Sequence, residues 1–247
     1  MRLTDRIHLV GSGEPGWVVS DAIDAQVYLL DTGDGFACVD AGAGRSVERI
    51  VAEVRADGLA PERIRWVLLT HGHADHAGGA AAWRRAVKGV HIASSPDVAG
   101  WLAAGDETGT SVDRARAAGI YPADYRLEAC EVDQALEAGA ELVLGEIRLH
   151  VVATPGHAAG HLAFVGTIDG AVTAFTGDAL FPEGRILLQD TWDCDLQAAL
   201  RSVERLAAYR PERLLAGHLA PVLENAEGHV ASAMARIARL AVPPSIP

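Results

Sequence analysis

The segment Thr70-His-Gly-His-Ala-Asp-His76 places three imidazoles and one carboxylate between residues 71 and 76. It follows the apolar run 66–70, which predicts a short buried strand, and it precedes a stretch of helical character at residues 80–87. A loop lets these neighbouring side chains converge, whereas a regular helix would spread them around its axis. Imidazole and carboxylate groups are ligands for zinc, iron or manganese. The segment therefore predicts a metal site at the end of a strand.

The composition is typical of a soluble globular protein, since 49% of the 247 residues are hydrophobic and 22% are charged. We expect residues 1–247 to form a single domain, in which the irregular segment 94–138 provides a lid or a pocket wall. The formal net charge of −12 argues against nucleic acid as a partner, because an acidic surface repels phosphate groups. No apolar run is long enough to cross a bilayer and no secretory signal is recognisable, so no membrane partner is expected. Three widely spaced cysteines do not indicate a disulfide framework, which favours a cytoplasmic location.

The predicted strands and helices fall into two similar halves. In the first half, the apolar runs 26–31 and 36–40 form a predicted hairpin that precedes a helix. In the second half, the runs 162–167 and 171–175 form another hairpin, and apolar positions within 196–206 recur at helical spacing. Each half can supply a sheet with helices on its outer face. This order predicts an α/β fold of four layers, an αββα sandwich.

Four further segments accompany the histidine-rich segment in a characteristic order. They are Val39-Asp-Ala-Gly42, Thr154-Pro-Gly-His157, Phe175-Thr-Gly-Asp178 and Gly217-His218. Together with His71-x-His73-x-Asp75-His76, they resemble the motif set of the metallo-β-lactamase fold superfamily, over residues from about 26 to about 220. The set is specific for the superfamily but not for a substrate, because this fold hosts many reactions.

The resemblance implies a site that holds two metal ions. The residues that would bind the first ion are His71, His73 and His157; those for the second are Asp75, His76 and His218; Asp178 would bridge both. We expect two divalent ions, with Zn²⁺ as the first choice and iron or manganese as alternatives. Taken alone, His157 or His218 could equally be a hydrogen-bonded structural histidine. Their joint placement after apolar runs and glycines favours the metal-binding interpretation.

Other residues are expected to surround the ligands. Asp40 is expected to orient the loop or a ligand imidazole, with a turn-forming role as the alternative, and His161 is expected to be structural or to support a ligand. Aromatic side chains in and beyond segment 94–138 are candidates for the substrate pocket, although ordinary packing would also explain them. They are Trp101, Tyr121, Tyr125 and Trp192.

The expected activity is hydrolysis of an ester-like bond, a lactone or a thioester, in a small-molecule substrate. A metal-bridging hydroxide would attack the carbonyl carbon, and Asp75 and Asp178 are the candidate catalytic residues. Asp178 stands where one class of secreted β-lactamases has a cysteine, which argues against antibiotic hydrolysis. Gly72 stands where the glyoxalase II pattern usually has a further histidine, which argues against that assignment. The sequence leaves the oligomeric state open.

Two alternative functions belong to different classes. The first is a mononuclear iron persulfide dioxygenase. The pattern of such enzymes is resembled by the segment Gly177-Asp-Ala-Leu-Phe181 followed by Gly184-Arg185. Metal content and oxygen uptake would separate it from a two-metal hydrolase. The second is a non-catalytic metal-binding or scaffold protein, which the complete ligand motifs disfavour.

Overall fold

Two β-sheets lie face to face in the computed structural model, which describes residues 1–246; Pro247, the last residue of the expected domain, lies outside the described residues. The first sheet has six strands in the spatial order β1 to β6. They are β1 (Ile7–Gly11), β2 (Val27–Asp31), β3 (Phe36–Val39), β4 (Ile64–Leu68), β5 (His91–Ser94) and β6 (Gln134–Ala135). Strands β1 to β3 pair antiparallel, whereas β3 to β6 pair parallel. Strand β1 is an addition to the predicted elements.

The second sheet has five strands in the order β11-β10-β9-β8-β7. They are β7 (Glu141–Leu144), β8 (Ile147–Ala153), β9 (Leu162–Ile168), β10 (Ala171–Gly177) and β11 (Arg213–Ala216). The predicted hairpin is β9 with β10, and β11 joins β10 in parallel. Because β8 and β10 are both antiparallel to β9, the strands β8, β10 and β11 all point the same way. Their carboxyl ends therefore lie at one edge of the sheet.

Helices cover the outer face of each sheet. They are α1 (Val47–Ala56), α2 (Ala74–Ala77), α3 (Ala80–Ala86), α4 (Pro96–Ala104), α5 (Val112–Ala117), α6 (Leu196–Ala208) and α7 (Ala226–Ile237), with short 3-10 turns at Pro61–Arg63 and Pro182–Gly184. Among residues 1–246, no helix combines the length and the hydrophobicity that crossing a bilayer requires.

Alternation along the strands builds the four layers. On β2, Leu29 packs with the helices of the first half, whereas Leu30 faces the second sheet and packs in the same core as Phe164 and Phe175. On the other side of the second sheet, Val165 packs in a core that includes residues of α6 and α7. The order of layers is helix, sheet, sheet, helix, so the predicted αββα sandwich is confirmed.

Segment 94–138 packs against the first helical layer. Ser95 begins α4 by accepting a hydrogen bond from the Val98 amide over 3.4 Å, with proline at the first helical position. Val112, Tyr121 and Tyr125 from this segment are buried in the same core as α1 and α3. The segment is therefore anchored by apolar contacts and can contribute fixed side chains to a site.

Candidate metal centre

All seven predicted ligands lie at strand ends. His71 and His73 follow β4, and the short helix α2 carries Asp75 and His76 directly after them. The other three follow three strands of the second sheet: His157 comes after β8, Asp178 after β10 and His218 after β11. The two sheets bring these ends together at one rim of the sandwich.

The three-histidine group consists of His71, His73 and His157. All three side chains are buried, and one nitrogen of each lies within 4.8 Å of the others. The closest pair is His157 Nε2 and His73 Nδ1, at 2.9 Å. Three imidazole nitrogens at this spacing are a common ligand set for zinc.

The mixed group consists of Asp75, His76 and His218, and it lies beside the three-histidine group. Asp75 Oδ2 is 3.2 Å from His218 Nε2 and 3.5 Å from His76 Nε2. The three ligand atoms again lie within 4.8 Å of one another. This group differs from its neighbour because it contains a carboxylate of its own.

Asp178 lies between the two groups. Its Oδ2 atom is 3.5 Å from His157 Nε2 and 3.5 Å from His218 Nε2. Its Oδ1 atom is 3.3 Å from His76 Nε2. One carboxylate thus faces both groups, which is the position expected for a bridging ligand.

The outer nitrogens of three ligand histidines are held by hydrogen bonds. His76 Nδ1 lies 2.8 Å from Asp40 Oδ2, and His157 Nδ1 lies 3.2 Å from the Leu187 carbonyl oxygen. His71 Nδ1 lies 3.0 Å from the hydroxyl of Thr70. In each case the outer N–H donates, so that Nε2 points into the cluster.

Asp40 lies next to a ligand, as the sequence analysis expected. Besides His76, its carboxylate accepts hydrogen bonds from the Thr70 amide at 2.8 Å and from the Thr70 hydroxyl at 3.0 Å. Because that hydroxyl donates to Asp40, it accepts from His71. Asp40 adopts a φ of 65°, a conformation that is strained for a residue other than glycine. The surrounding hydrogen bonds hold the Asp40 carboxylate in place despite this backbone strain.

His161 supports the centre without facing either group. Its Nε2 atom accepts a hydrogen bond from the Asp178 amide at 3.1 Å. An amide N–H can only donate, so the proton of this imidazole is on Nδ1, which donates to the Thr154 hydroxyl at 2.8 Å. Both nitrogens are therefore occupied, and His161 fixes the backbone turn that carries Asp178.

Burial and neighbouring charges shift the pKa values of the two groups in opposite directions. Burial lowers the pKa of His71, His73 and His157, the last to about 4, and the surrounding histidines lower the pKa of His71 and His157 further. Burial also acts to lower the pKa of His76 and His218, but the carboxylates of Asp178 and Asp75 outweigh it and raise both. The three-histidine group is thus neutral at pH 7.

The two carboxylates respond in the reciprocal way. Burial alone would raise the pKa of Asp178 and Asp75, yet the positive charge of His76, followed by that of His218, holds both pKa values well below their usual range. Both groups are therefore ionised and able to bind a cation.

The donors fit a divalent metal ion. His71 Nε2, His76 Nε2 and Asp178 Oδ1 are buried and have no hydrogen-bond partner among residues 1–246. Burying such atoms unpaired is costly, and ligand atoms of these same three residues lie within 4.8 Å of one another. Cations bound at the two groups would satisfy these atoms, and nitrogen and carboxylate donors are the set that zinc prefers.

Gly217 permits the close approach of the last strand to the cluster. A Cβ atom at this position would lie 2.2 Å from Asp178 Oδ1 and 2.4 Å from a ring carbon of His76. Only glycine leaves room for both ligands here.

A cavity of about 490 Å³ opens onto the centre. Its floor carries His73, Asp75, Asp178 and His218. The rest of its lining comes from residues within 110–121 and from residues 189–191. Segment 94–138 was expected to provide a lid or a pocket wall, but no residue of α5 and none of residues 189–191 was singled out from the sequence, because these positions carry no motif.

The four predicted pocket aromatics do not lie together. Tyr121 lines the cavity, and its hydroxyl donates to Asp75 Oδ1 at 2.7 Å. The other three do not line this cavity. Tyr125 is buried and its hydroxyl donates to the Ala43 carbonyl, whereas Trp101 packs edge-on against Trp192 at 5.8 Å. Apolar packing accounts for Trp101 and Tyr125, and Trp192 lies largely in solvent.

Comparisons with known proteins agree with this geometry. A family model for the metallo-beta-lactamase superfamily matches residues 21–218. The chain is 32% identical over 197 residues to a hydroxyacylglutathione hydrolase of Acidiphilium cryptum (strain JF-5). The matched residues cover 79% of this chain and 64% of that protein. It is 27% identical over 214 residues to the probable metallo-hydrolase YybB of Bacillus subtilis (strain 168). The matched residues cover 85% of this chain and 83% of that protein.

Solved structures show the same fold. BJP-1, a subclass B3 metallo-beta-lactamase of Bradyrhizobium japonicum, superposes with a TM-score of 0.73 over 97% of this chain and 91% of that chain, at 22% identity.

The chain spans 64% of the Acidiphilium cryptum enzyme and 48% of a hydroxyacylglutathione hydrolase of Anaeromyxobacter dehalogenans (strain 2CP-C). With the family match over residues 21–218 and the clustered histidines and aspartates, the chain belongs to the metallo-β-lactamase superfamily.

Proposed function

We propose that this protein is a dinuclear metal-dependent hydrolase that cleaves an ester-like bond of a small molecule. The observation that carries the proposal is the position of Asp178, which faces both the three-histidine group and the mixed group at the floor of a cavity. Two adjacent ligand groups that share a carboxylate suit a pair of cations. A single-ion site would leave one of the groups without a role.

Zinc is the metal proposed for both positions. His71, His73 and His157 would hold one ion, and Asp75, His76 and His218 the other; Asp178 would contact both. Bound divalent cations supply positive charge that activates water and polarises a carbonyl group. Iron and manganese accept the same donors and are the alternatives.

Asp75 and Asp178 are proposed as the catalytic residues. Both carboxylates line the floor of the cavity and both are ionised. An ionised carboxylate accepts hydrogen bonds, so each can orient an attacking water and receive its proton. The Tyr121 hydroxyl donates a hydrogen bond to Oδ1 of Asp75, so this carboxylate is held in a defined orientation at the cavity.

The cavity supports a small-molecule substrate. Its volume of about 490 Å³ is in the usual range for small-ligand pockets, roughly 300–1,000 Å³. Its lining includes Ala115, Ala118 and Ile120, which offer an apolar surface to a substrate. Lactones and thioesters both present a carbonyl carbon and an apolar portion to such a site.

Thioesters are the first class to test. Relatives that are about 32% identical carry the name hydroxyacylglutathione hydrolase, which describes a thioesterase reaction. Gly72 departs from the pattern expected of that group, so glutathione itself is not assumed. Lactones are the second class.

Elemental analysis of the purified protein, together with hydrolysis of a lactone and thioester panel, tests the proposal. Two divalent ions per chain are expected, with hydrolysis that a chelator abolishes and added Zn²⁺ restores. One iron per chain, no hydrolysis and oxygen uptake with a persulfide would instead establish the dioxygenase alternative. A fully metal-loaded protein that is inert toward the whole panel would establish a non-catalytic role.

A further inference from the structure

Tyr121 connects segment 94–138 to the metal centre. It follows α5, is 6% exposed and lines the cavity beside Asp75. Its hydroxyl donates a hydrogen bond to Asp75 Oδ1 at 2.7 Å and accepts one from the Asp75 amide at 3.3 Å. The phenol thus contacts both the side chain and the backbone of one ligand.

The two carboxylate oxygens of Asp75 have different neighbours. Oδ1 is bound by Tyr121, whereas Oδ2 lies 3.2 Å from His218 Nε2 and 3.5 Å from His76 Nε2. An aspartate side chain can rotate about two single bonds, and the four-residue helix α2 does not fix those rotations. Holding Oδ1 therefore determines where Oδ2 points.

We propose that Tyr121 is a positioning residue, which holds the Asp75 carboxylate in the orientation needed for the mixed group to bind its cation. The proposal rests on the proposed function in one respect, since it takes the mixed group to be a cation site. It assigns to segment 94–138 a part in completing that site. The hydrogen bond serves Asp75 as that of Asp40 serves His76.

Tyr125 provides a matched control within the same segment. It has the same exposure of 6%, and its ring centre lies 5.3 Å from that of Tyr121. Its hydroxyl donates to the Ala43 carbonyl at 2.8 Å, which is not part of either ligand group. Removing either hydroxyl deletes one buried hydrogen bond, but only Tyr121→Phe releases a ligand.

The assignment is tested by calorimetric titration of the metal-free full-length protein with Zn²⁺. The titration is done for wild type, Tyr121→Phe and Tyr125→Phe. Wild type should bind two ions per chain. In Tyr121→Phe the ion of the mixed group should bind about 10–100-fold more weakly, which is the usual effect of removing a supporting hydrogen bond. Binding of the ion of the three-histidine group should not change. Tyr125→Phe should bind both ions as wild type does.

Several results would overturn the assignment. They are wild-type zinc affinity in Tyr121→Phe, equal weakening in both variants, and a wild type that binds only one ion. Hydrolysis at saturating Zn²⁺ adds a second readout: recovery in Tyr121→Phe supports a positioning role, and a persistent loss would instead mean direct contact with substrate. A zinc-loaded wild type without hydrolysis would refute the proposed function but leave the zinc titration as a valid test.

Discussion

The three-histidine group and the mixed group lie side by side, but they are built on opposite electrostatic principles. The former has no carboxylate of its own, and burial keeps its imidazoles neutral, with their outer nitrogens held by a hydroxyl and a backbone carbonyl. The latter pairs His76 and His218 with Asp75, and Asp40 supports it from behind. The three-histidine group thus offers neutral donors to a cation, whereas the mixed group offers negative charge. Asp178 is common to both.

Removing Asp178 should have the largest effect, because it affects both groups at once. In Asp178→Ala we expect fewer bound ions per chain and a loss of turnover of about 1,000-fold or more, as several kcal/mol of stabilisation disappear. The fold should remain largely intact, which circular dichroism checks. Elemental analysis and kcat/KM measure the effect. Wild-type activity in this variant would refute the site assignment.

Removing one histidine from each group should separate the groups. We expect His157→Ala to lose the ion of the three-histidine group and His218→Ala to lose the ion of the mixed group, so each variant retains about one ion per chain. His150→Ala is the control, because that side chain is exposed on β8 and lies beside Tyr209. Loss of both ions in either variant would mean that the groups do not bind independently.

Asp40→Asn tests the support of the mixed group. The amide keeps the shape of the side chain but removes its charge, so His76 loses a charged acceptor. We expect zinc affinity of the mixed group to fall about 10–100-fold. The three-histidine group should change less, since Asp40 reaches His71 only through Thr70. Competition with a chelator of known affinity measures both constants, and equal losses would contradict this difference.

His161→Ala should give the smallest effect. Its imidazole holds the Asp178 backbone rather than an ion, so both ions should remain and turnover should fall by about tenfold, the lower end of the range for residues that support a ligand. Zinc content and kcat/KM are measured for His161→Ala and compared with those of Asp178→Ala, the variant expected to lose most. Complete loss of metal from this variant would show that His161 is itself a ligand.

Much of the fold, and the set of residues that meet at the candidate metal centre, could be predicted from the sequence because the signals are local. The continuous apolar run of β2 and the helical spacing of apolar residues in α6 each depend on residues close in the chain. The histidine-rich segment was recognisable for the same reason, and the later ligands because each follows an apolar strand and a glycine. Strand β1 was not predicted, although its five residues are fully buried.

Other features depended on the tertiary structure because they join distant parts of the chain. Tyr121 reaches Asp75 across 46 positions, and the Leu187 carbonyl meets His157 across 30. Hydrophobicity indicates that an aromatic residue is buried but not which surface it faces, so Trp101 and Tyr125 could not be told apart from Tyr121. The sequence by itself determined the αββα fold and the chemistry of the ligands. The packing of segment 94–138 against the first half decided which side chains surround them, because those contacts arise only when the layers assemble.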